Sequence, residues 1–377
     1  MMVRVDAENV SWIISRDKLT LIDSVLRGDR LALARVLTHV ENNTAEGREV
    51  LDALFPRTGK AHLIGVTGAP GTGKSSLVNR LALFYRGQKK TVAIVAVDPS
   101  SPFTGGAVLG DRVRMKDLSG DTGVFIRSMA SRGSLGGLAR TTAGEVQVFD
   151  AAGYEIVLIE TVGAGQGEVD IARLAHTTLV VEAPGLGDDI QAIKAGILEI
   201  ADILVVNKAD RPGVENTEKA LKSMLDLAHP MQRVYLHHGK MMEAGARSNA
   251  EKDADKELWI PPILKTISTE GKGIGELAEQ IAKHAEYLRL SGDWAVRERA
   301  RLESELEIIL QQKLISQFRE TISESRYDEV LRRVFEKSIS PWEAVKMLTN
   351  GRSVAPDPAR SAGSDTALHS KSEEDWD

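Results

Sequence analysis

The sequence predicts an α/β domain with a mainly parallel sheet and helical extensions at both ends. Three observations carry that expectation. Seven short apolar runs, Leu63–Val66, Val92–Val97, Val124–Ile126, Ile156–Ile159, Thr178–Val181, Ile203–Val206 and Ile263–Ile267, are mostly continuous rather than alternating, as in strands buried on both faces. Amphipathic stretches separate them, and strand–helix repetition of this kind builds a parallel sheet clothed in helices. Polar residues follow the runs: Lys74 the first, Asp98 the second, Glu160 the fourth, Asn207 the sixth and Ser268 the seventh. Ligands of such sheets bind beyond the carboxyl ends of the strands.

The 377 residues are 42% hydrophobic and 27% charged, an ordinary balance for a soluble chain with one large domain or two. A net charge of −6 argues against nucleic acid as the main partner. The absence of cysteine excludes disulfides, thiolate metal sites and cysteine nucleophiles, and fits the cytoplasm. Met1–Ser15 carries early charges and no long apolar run, so neither a signal peptide nor a membrane span is expected.

Residues 1–58 read as a helical extension. Asp29 can cap a helix bearing Leu31, Leu33, Val36, Leu37 and Val40, Thr44 can cap another ending near Leu54, Gly28 separates the first pieces and Pro56 ends the last. Residues 59–290 hold the strand–helix alternation. After the first run, Lys74–Arg86 reads as a helix with Leu77, Leu81 and Phe84 on one stripe and Gly87 as its stop. His229–Trp259 breaks the pattern with His237, His238 and a charge-rich run from Glu251 to Glu257, and reads as a solvated excursion. Two adjacent histidines need not converge on one ion, so they are taken as ordinary surface residues.

Residues 291–351 read as a helical dimerisation extension. Trp294–Ile322 is one long helix with Leu302, Leu306, Leu310, Leu314 and Phe318 in one row and Ile308, Ile309 and Ile315 beside it, a stripe too wide for one neighbour. Arg326–Phe335 is a second helix, and Ser340-Pro341-Trp342-Glu343 is a capping box opening a third that Gly351 closes. Residues 352–377 are Ser-, Ala-, Pro- and Asp-rich, the composition of a disordered tail.

The chemistry lies in two motifs. Gly68-Ala69-Pro70-Gly71-Thr72-Gly73-Lys74-Ser75, with Ser76 behind it, has the spacing of a phosphate-binding loop between strand and helix. Glycines let successive N–H groups curl towards phosphate oxygens, Lys74 supplies a point charge, and the Ser75 hydroxyl suits Mg²⁺. Asn207-Lys208-Ala209-Asp210 matches N-K-x-D, whose aspartate accepts from guanine N1–H and the 2-amino group; adenine offers no such pair. Otherwise the Asp would be a simple helix cap. Ser268-Thr269-Glu270 falls where a second base-contacting loop belongs.

Asp98 and Glu160 end strands near the phosphate loop, where Mg²⁺ needs oxygen ligands, or they cap turns. Glu160 opens Thr161-Val162-Gly163-Ala164-Gly165-Gln166, whose Gly N–H is placed to sense a γ-phosphate; Gln166 either orients water or is a plain surface residue. Two Gly-rich loops, Asp98–Arg112 and Ala183–Asp189, have the length or composition of functional loops.

Together GAPGTGKS, VDPSS, GDRVRM, SRGSLGGLA, ETVGAGQGE, APGLGDDIQAIKAGI and NKAD resemble the MeaB/ArgK family of P-loop GTPases. The resemblance runs from about Lys60 to Leu290 and implies a SIMIBI-type G domain. It further implies a homodimer that hydrolyses GTP to GDP and docks on adenosylcobalamin-dependent acyl-CoA mutases, gating cofactor loading and protecting the mutase. It implies Mg²⁺ contacts at Ser75, Asp98, Asp111 and Glu160, and switch loops at Pro99–Asp111, Val162–Glu168 and Pro184–Lys194. Asp188, Gln191 and Lys194 then become the candidates for coupling to the partner. An adenosyltransferase is a second candidate partner, and no cobalamin is expected on this chain. Ala164 and Ser134 depart from common family residues. Rival readings are a kinase or ATPase linked to amino-acid transport, a metal-delivery GTPase, and a non-hydrolysing scaffold.

Overall fold

The computed structural model describes residues 16–99, 115–118, 120–131, 137–161, 167–185, 200–228, 235–237, 240–242 and 258–349. Within it the chain forms two compact units, residues 1–308 and 309–377.

The first unit begins with α1 (Arg16–Leu26), α2 (Arg30–Glu41) and α3 (Ala45–Leu54). Their ends follow the sequence. Asp29 accepts from the Leu31 and Ala32 amides at 2.8 and 2.9 Å, and Thr44 accepts from Gly47 N at 3.0 Å, so orphan donors at both helix starts are satisfied. Gly28 turns the chain between α1 and α2 with φ of +82°.

The strands are β1 (His62–Thr67), β2 (Val92–Pro99), β3 (Val124–Ser131), β4 (Ile156–Thr161), β5 (Thr177–Glu182), β6 (Ile203–Asn207), β7 (Tyr235–His237), β8 (Lys240–Met242) and β9 (Ile263–Thr266). Seven of them form one all-parallel sheet in the order β3-β2-β4-β1-β5-β6-β9. Every residue of β1, β4, β5 and β6 is buried, which is why these runs are apolar throughout rather than at alternate positions. β1 is central, paired with β4 (Val66 opposite Glu160) and with β5 (Thr67 opposite Val180).

Between and after the strands run α4 (Lys74–Gly87), α5 (Gly137–Ala151), α6 (Gly167–Leu174), α7 (Val214–Ala228), α8 (Ile274–Ser291) and α9 (Asp293–Thr321). The period-two alternation of each strand sorts its side chains between two layers. Ile64, Val66, Ile94, Leu158 and Val181 meet Leu77 and Leu81 of α4 and Leu277 and Ile281 of α8. Leu63, Val95, Val157 and Ile159 meet Val36 and Val40 of α2, Val146 and Phe149 of α5, and Ile171 of α6. The leading helices therefore complete one face of the core.

Two local expectations need correction. Gly87 does not stop α4; it stays helical, and the turn comes at Lys89, with φ of +64°, once Gln88 N has bonded to Phe84 and Tyr85 carbonyls. The excursion His229–Trp259 is not wholly solvated. Trp259 packs beside His284 at 4.8 Å between centroids and donates Nε1–H to the Asp202 carbonyl at 2.8 Å, since an indole N–H turned away from solvent requires an acceptor. β7 and β8 pair antiparallel within that segment; His238 lies outside the described residues.

In the second unit, α10 (Glu324–Phe335) and α11 (Pro341–Thr349) pack Val330, Ile339 and Ala344 together. Ser323 and Ser340 cap them, accepting from Arg326 N and Glu343 N. The long α9 has no buried residue, and Leu306, Ile309, Leu310, Leu314 and Ile315 on it are all exposed. Gly351 and residues 352–377 lie outside the described residues.

Candidate active site at the carboxyl edge of the sheet

The loop Gly68–Ser75 joins β1 to α4 at the sheet's centre. Its backbone demands glycine. Gly68 has φ of +136°, and a Cβ there would stand 2.1 Å from the Val181 carbonyl oxygen of β5. At Gly73, with φ of +93°, a Cβ would come within 2.5 Å of the Asn207 amide. Ala69, Pro70 and Gly71 are on the rim, and Ser76 is exposed on the first turn of α4. Lys74 is 6% exposed and its Nζ donates to the carbonyls of Gly68 and Ala69 at 2.8 and 3.0 Å, bracing the loop from inside.

Ser75 faces β4. Its hydroxyl donates to Glu160 Oε1 at 2.6 Å, and both side chains are buried. A hydroxyl and a carboxylate side by side at a phosphate loop form an all-oxygen donor pair of the kind Mg²⁺ takes. These two residues would hold the ion, which supplies charge neutralisation to the phosphates when bound. The neighbouring Thr161 hydroxyl donates to Thr67 across β4 and β1 at 3.1 Å, tying the two strand ends together.

Asn207, at the end of β6, is the joint of the site. Its Nδ2 donates to the Thr72 carbonyl at 2.8 Å, holding the phosphate loop. Its Oδ1 accepts from Thr266 Oγ1 at 3.1 Å, Ser268 N at 3.2 Å and Ser268 Oγ at 2.7 Å, holding the turn after β9. One buried amide thus fixes the phosphate loop and the turn after β9 relative to each other. Lys208 adopts φ of +57° and donates Nζ to Gly71 O; burial, with Arg211 nearby, lowers its pKa. Asp210 is exposed beyond it, and Thr269 and Glu270 are exposed on the facing turn. Glu270 pairs with Lys272 at 2.7 Å.

One contributor escaped the sequence reading. Arg80, two turns into α4, donates Nε to Ser268 O at 2.8 Å and Nη2 to Thr269 O at 2.7 Å. Its sequence signal is only an arginine four residues after the exposed Ser76, which reads as helix surface.

The structure therefore brings together Gly68–Ser76, Glu160, Asn207–Asp210 and Ser268–Glu270. Asp98 lies in β2 by its backbone, one residue before its end, but its side chain lies outside the described residues, as do Asp111, Gln166, Asp188, Gln191 and Lys194. Among the described residues no cluster of His, Asp and Glu is arranged to hold a metal by itself, and no helix is long and apolar enough to cross a membrane.

Comparison with known proteins places this geometry. A putative GTPase of Pyrococcus abyssi is 44% identical over 329 residues, 87% of this chain and 94% of the relative. The GTPase ArgK of Escherichia coli is 35% identical over 283 residues, 73% of this chain and 79% of its own. A crystal structure of a LAO/AO transport system kinase superposes with a TM-score of 0.61 at 26% identity, covering 90% of this chain and 98% of the other. The sequence profile of the methylmalonyl-CoA mutase-associated GTPase MeaB matches residues 33–323. With its phosphate loop and N-K-x-D motif joined through Asn207, the chain belongs to the MeaB family and is a GTPase.

Proposed function

We propose that this chain is a slow, Mg²⁺-dependent GTPase whose nucleotide state gates cofactor loading and protection of an adenosylcobalamin-dependent acyl-CoA mutase. The observation that carries the nucleotide chemistry is Asn207, which fixes phosphate loop and base turn as one receptor. GTP enters with its phosphates against the Gly68–Ser76 amides. Lys74 then exchanges the Gly68 and Ala69 carbonyls for β- and γ-phosphate oxygens, while Asp210 accepts from guanine N1–H and the 2-amino group. Ser75 and Glu160, with Asp98 and Asp111, would hold Mg²⁺. Water attacks the γ-phosphorus, the bond to the GDP oxygen breaks, and Gln166 is the candidate to orient that water.

The phosphate loop contains no arginine, and an arginine aimed at the transferring phosphoryl is worth about 10³–10⁵ in rate. Intrinsic turnover is accordingly slow and rises when a partner orders the switch loops. The family's name supports a mutase as that partner; an adenosyltransferase is the second candidate. Asp188, Gln191 and Lys194 relay the signal, cobalamin stays on the mutase, and the chain works in the cytoplasm without nucleic acid or membrane. The exposed apolar stripe of α9 supports a homodimer built by residues 291–351.

The test is GTP hydrolysis with and without the cognate mutase, for the parent and for Lys194→Ala. Acceleration in the parent and none in the variant, at equal nucleotide affinity, is expected; equal acceleration removes the loop from the relay. A kinase linked to amino-acid transport is the second reading, favoured by the name of the solved relative. It requires ATP, and comparable ATP and GTP affinities would select it.

A further inference from the structure

We infer that Arg80 is a specificity-positioning residue: from the phosphate-loop helix it orients the Thr269 N–H as the donor that reads guanine O6. The inference rests on the guanine reading above and deepens it.

The argument begins with the turn after β9. Its three amides have different fates. Ser268 N donates to Asn207 Oδ1, and Glu270 N donates to the Ile267 carbonyl at 3.0 Å. Among the described residues Thr269 N–H has no acceptor, and Thr269 is exposed. A donor left over between two bonded amides, on an exposed turn beside Asn207, is a place for a ligand atom.

Its direction is fixed from the other side. A peptide unit is planar and trans, so the Ser268 carbonyl and the Thr269 N–H lie in one plane and point oppositely. Arg80 Nε holds that carbonyl at 2.8 Å, and Nη2 holds the next one at 2.7 Å. The rigid guanidinium fork therefore sets the plane of the peptide that carries the spare donor. Without it nothing holds that peptide itself: Ser268 N and Oγ on Asn207 anchor the preceding peptide and the side chain, and Glu270 N on Ile267 O anchors the following one.

Guanine supplies the matching atom. Asp210 accounts for its two donors, N1–H and the 2-amino group, and O6 remains as an acceptor needing an N–H. Adenine has a donor at that position, so a fixed amide there both rewards guanine and opposes adenine. Because Arg80 stands on α4, which starts at Lys74, the helix that receives the phosphates also sets the peptide that reads the base.

The probes are GDP, inosine diphosphate, which lacks only the 2-amino group, and 6-thioguanosine diphosphate, in which a weakly accepting sulfur replaces O6. For the parent, GDP should bind about fivefold tighter than the thio analogue, the worth of one net hydrogen bond. In Arg80→Ala that ratio should fall to near one while the GDP to inosine diphosphate ratio, owed to Asp210, is kept. Arg80→Lys, a single point donor that cannot span both carbonyls, should fall between. An unchanged thio ratio overturns the inference, and so does a parallel fall of both ratios, which would mean general loosening. If Arg80→Ala does not fold, Arg80→Lys decides alone by the same two ratios. A parent that binds ADP as tightly as GDP would instead overturn the guanine reading, a result distinct from either.

Discussion

The two ends of the parallel sheet solve opposite problems with similar residues. At the carboxyl end the lysines and the amide nitrogen are braced against backbone, Lys74 on Gly68 and Ala69, Asn207 Nδ2 on Thr72 and Lys208 on Gly71, while Ser75 and Glu160 hold each other. At the amino end, charged groups are braced against one another. Arg297 of α9 grips both oxygens of Asp202 at 2.8 and 2.7 Å, and His284 lies 3.3 Å from the same carboxylate. Thr177 links His284 to His62 at 2.9 and 2.8 Å. His176 Nδ1 accepts from Leu63 N at 3.0 Å, which leaves Nε2 as the donor to Glu298 at 2.6 Å, and Arg301 holds that carboxylate's other oxygen. Trp294 stacks on His176 at 3.9 Å. Polar groups held by backbone can exchange partners when a ligand arrives; groups that satisfy each other fasten the start of α9 to the sheet. The first edge is built for function and the second for stability.

A crossed pair of substitutions gives the largest expected effects. Lys74→Ala should lower GTP turnover by about 10²–10³-fold, the usual loss for one donor to a transferring group, with little change in melting temperature. Asp202→Ala should do the reverse. It strands Arg297, His284 and the Thr178 amide, a loss of about 2–3 kcal/mol for hydrogen bonds to a charged group, while nucleotide affinity in the folded protein stays near that of the parent. Calorimetry and hydrolysis on both variants check this, and a turnover defect in Asp202→Ala would dissolve the distinction.

Smaller effects test the functional edge by itself. Asp210→Asn should weaken GDP by about 10–100-fold, the range for a hydrogen bond to a charged group, and improve xanthosine diphosphate, whose 2-oxo group accepts what the amide donates. Equal loss of both nucleotides would show that Asp210 supports the loop rather than reads the base. Truncation after Leu290 should leave a nucleotide binder; it removes Arg297 and Glu298 with the exposed stripe, so melting temperature should fall and the proposed dimer should be lost in light scattering.

The functional edge was far more legible in sequence than the structural one. Phosphate and base impose fixed spacings, so Gly68–Ser75 and Asn207–Asp210 announce themselves. Gly68 is forced by a carbonyl of β5 more than a hundred residues away, yet its place in the spacing reveals it. The strands were legible too, because burial on both faces leaves unbroken apolar runs. The amino edge has no such grammar. His62, His176, Asp202, His284 and Arg297 stand on five separate segments, and nothing local links them before the sheet brings them together. Arg80 belongs to the same class: its partners are backbone carbonyls, which carry no sequence signature. Trp259 misled because the charge-rich run before it masks a single anchoring ring.

The last effect is the acid sensitivity of the amino edge. Burial, followed by the fields of His176 and Arg289, holds His62 well below the ordinary imidazole value, and burial likewise lowers His176 against the pull of Glu298. A base whose folded pKa is depressed binds fewer protons folded than unfolded, so its stability is complete above about 6.5 and is lost as pH falls below that. Each such histidine contributes a slope of about 1.4 kcal/mol per pH unit until its folded pKa is reached. Glu298 acts lower: burial opposes ionisation, but His176 and Arg301 hold it to about 2, so its contribution goes between 4.5 and 2. Glu145, away from this edge, is raised to about 8 by burial, with Arg127 opposing; its slope has the other sign, stability falling from 4.5 to 8 as pH rises. It cancels when parent and variant are compared. His62→Gln keeps a polar group for Thr177 without a titrating proton. Its stability should fall less steeply than the parent's between pH 6.5 and 5, by about one proton, with GDP affinity unchanged throughout. Chemical denaturation at four pH values measures the slope. If the variant follows the parent, His62 does not carry the acid response; if GDP affinity follows the slope, the two edges are not independent.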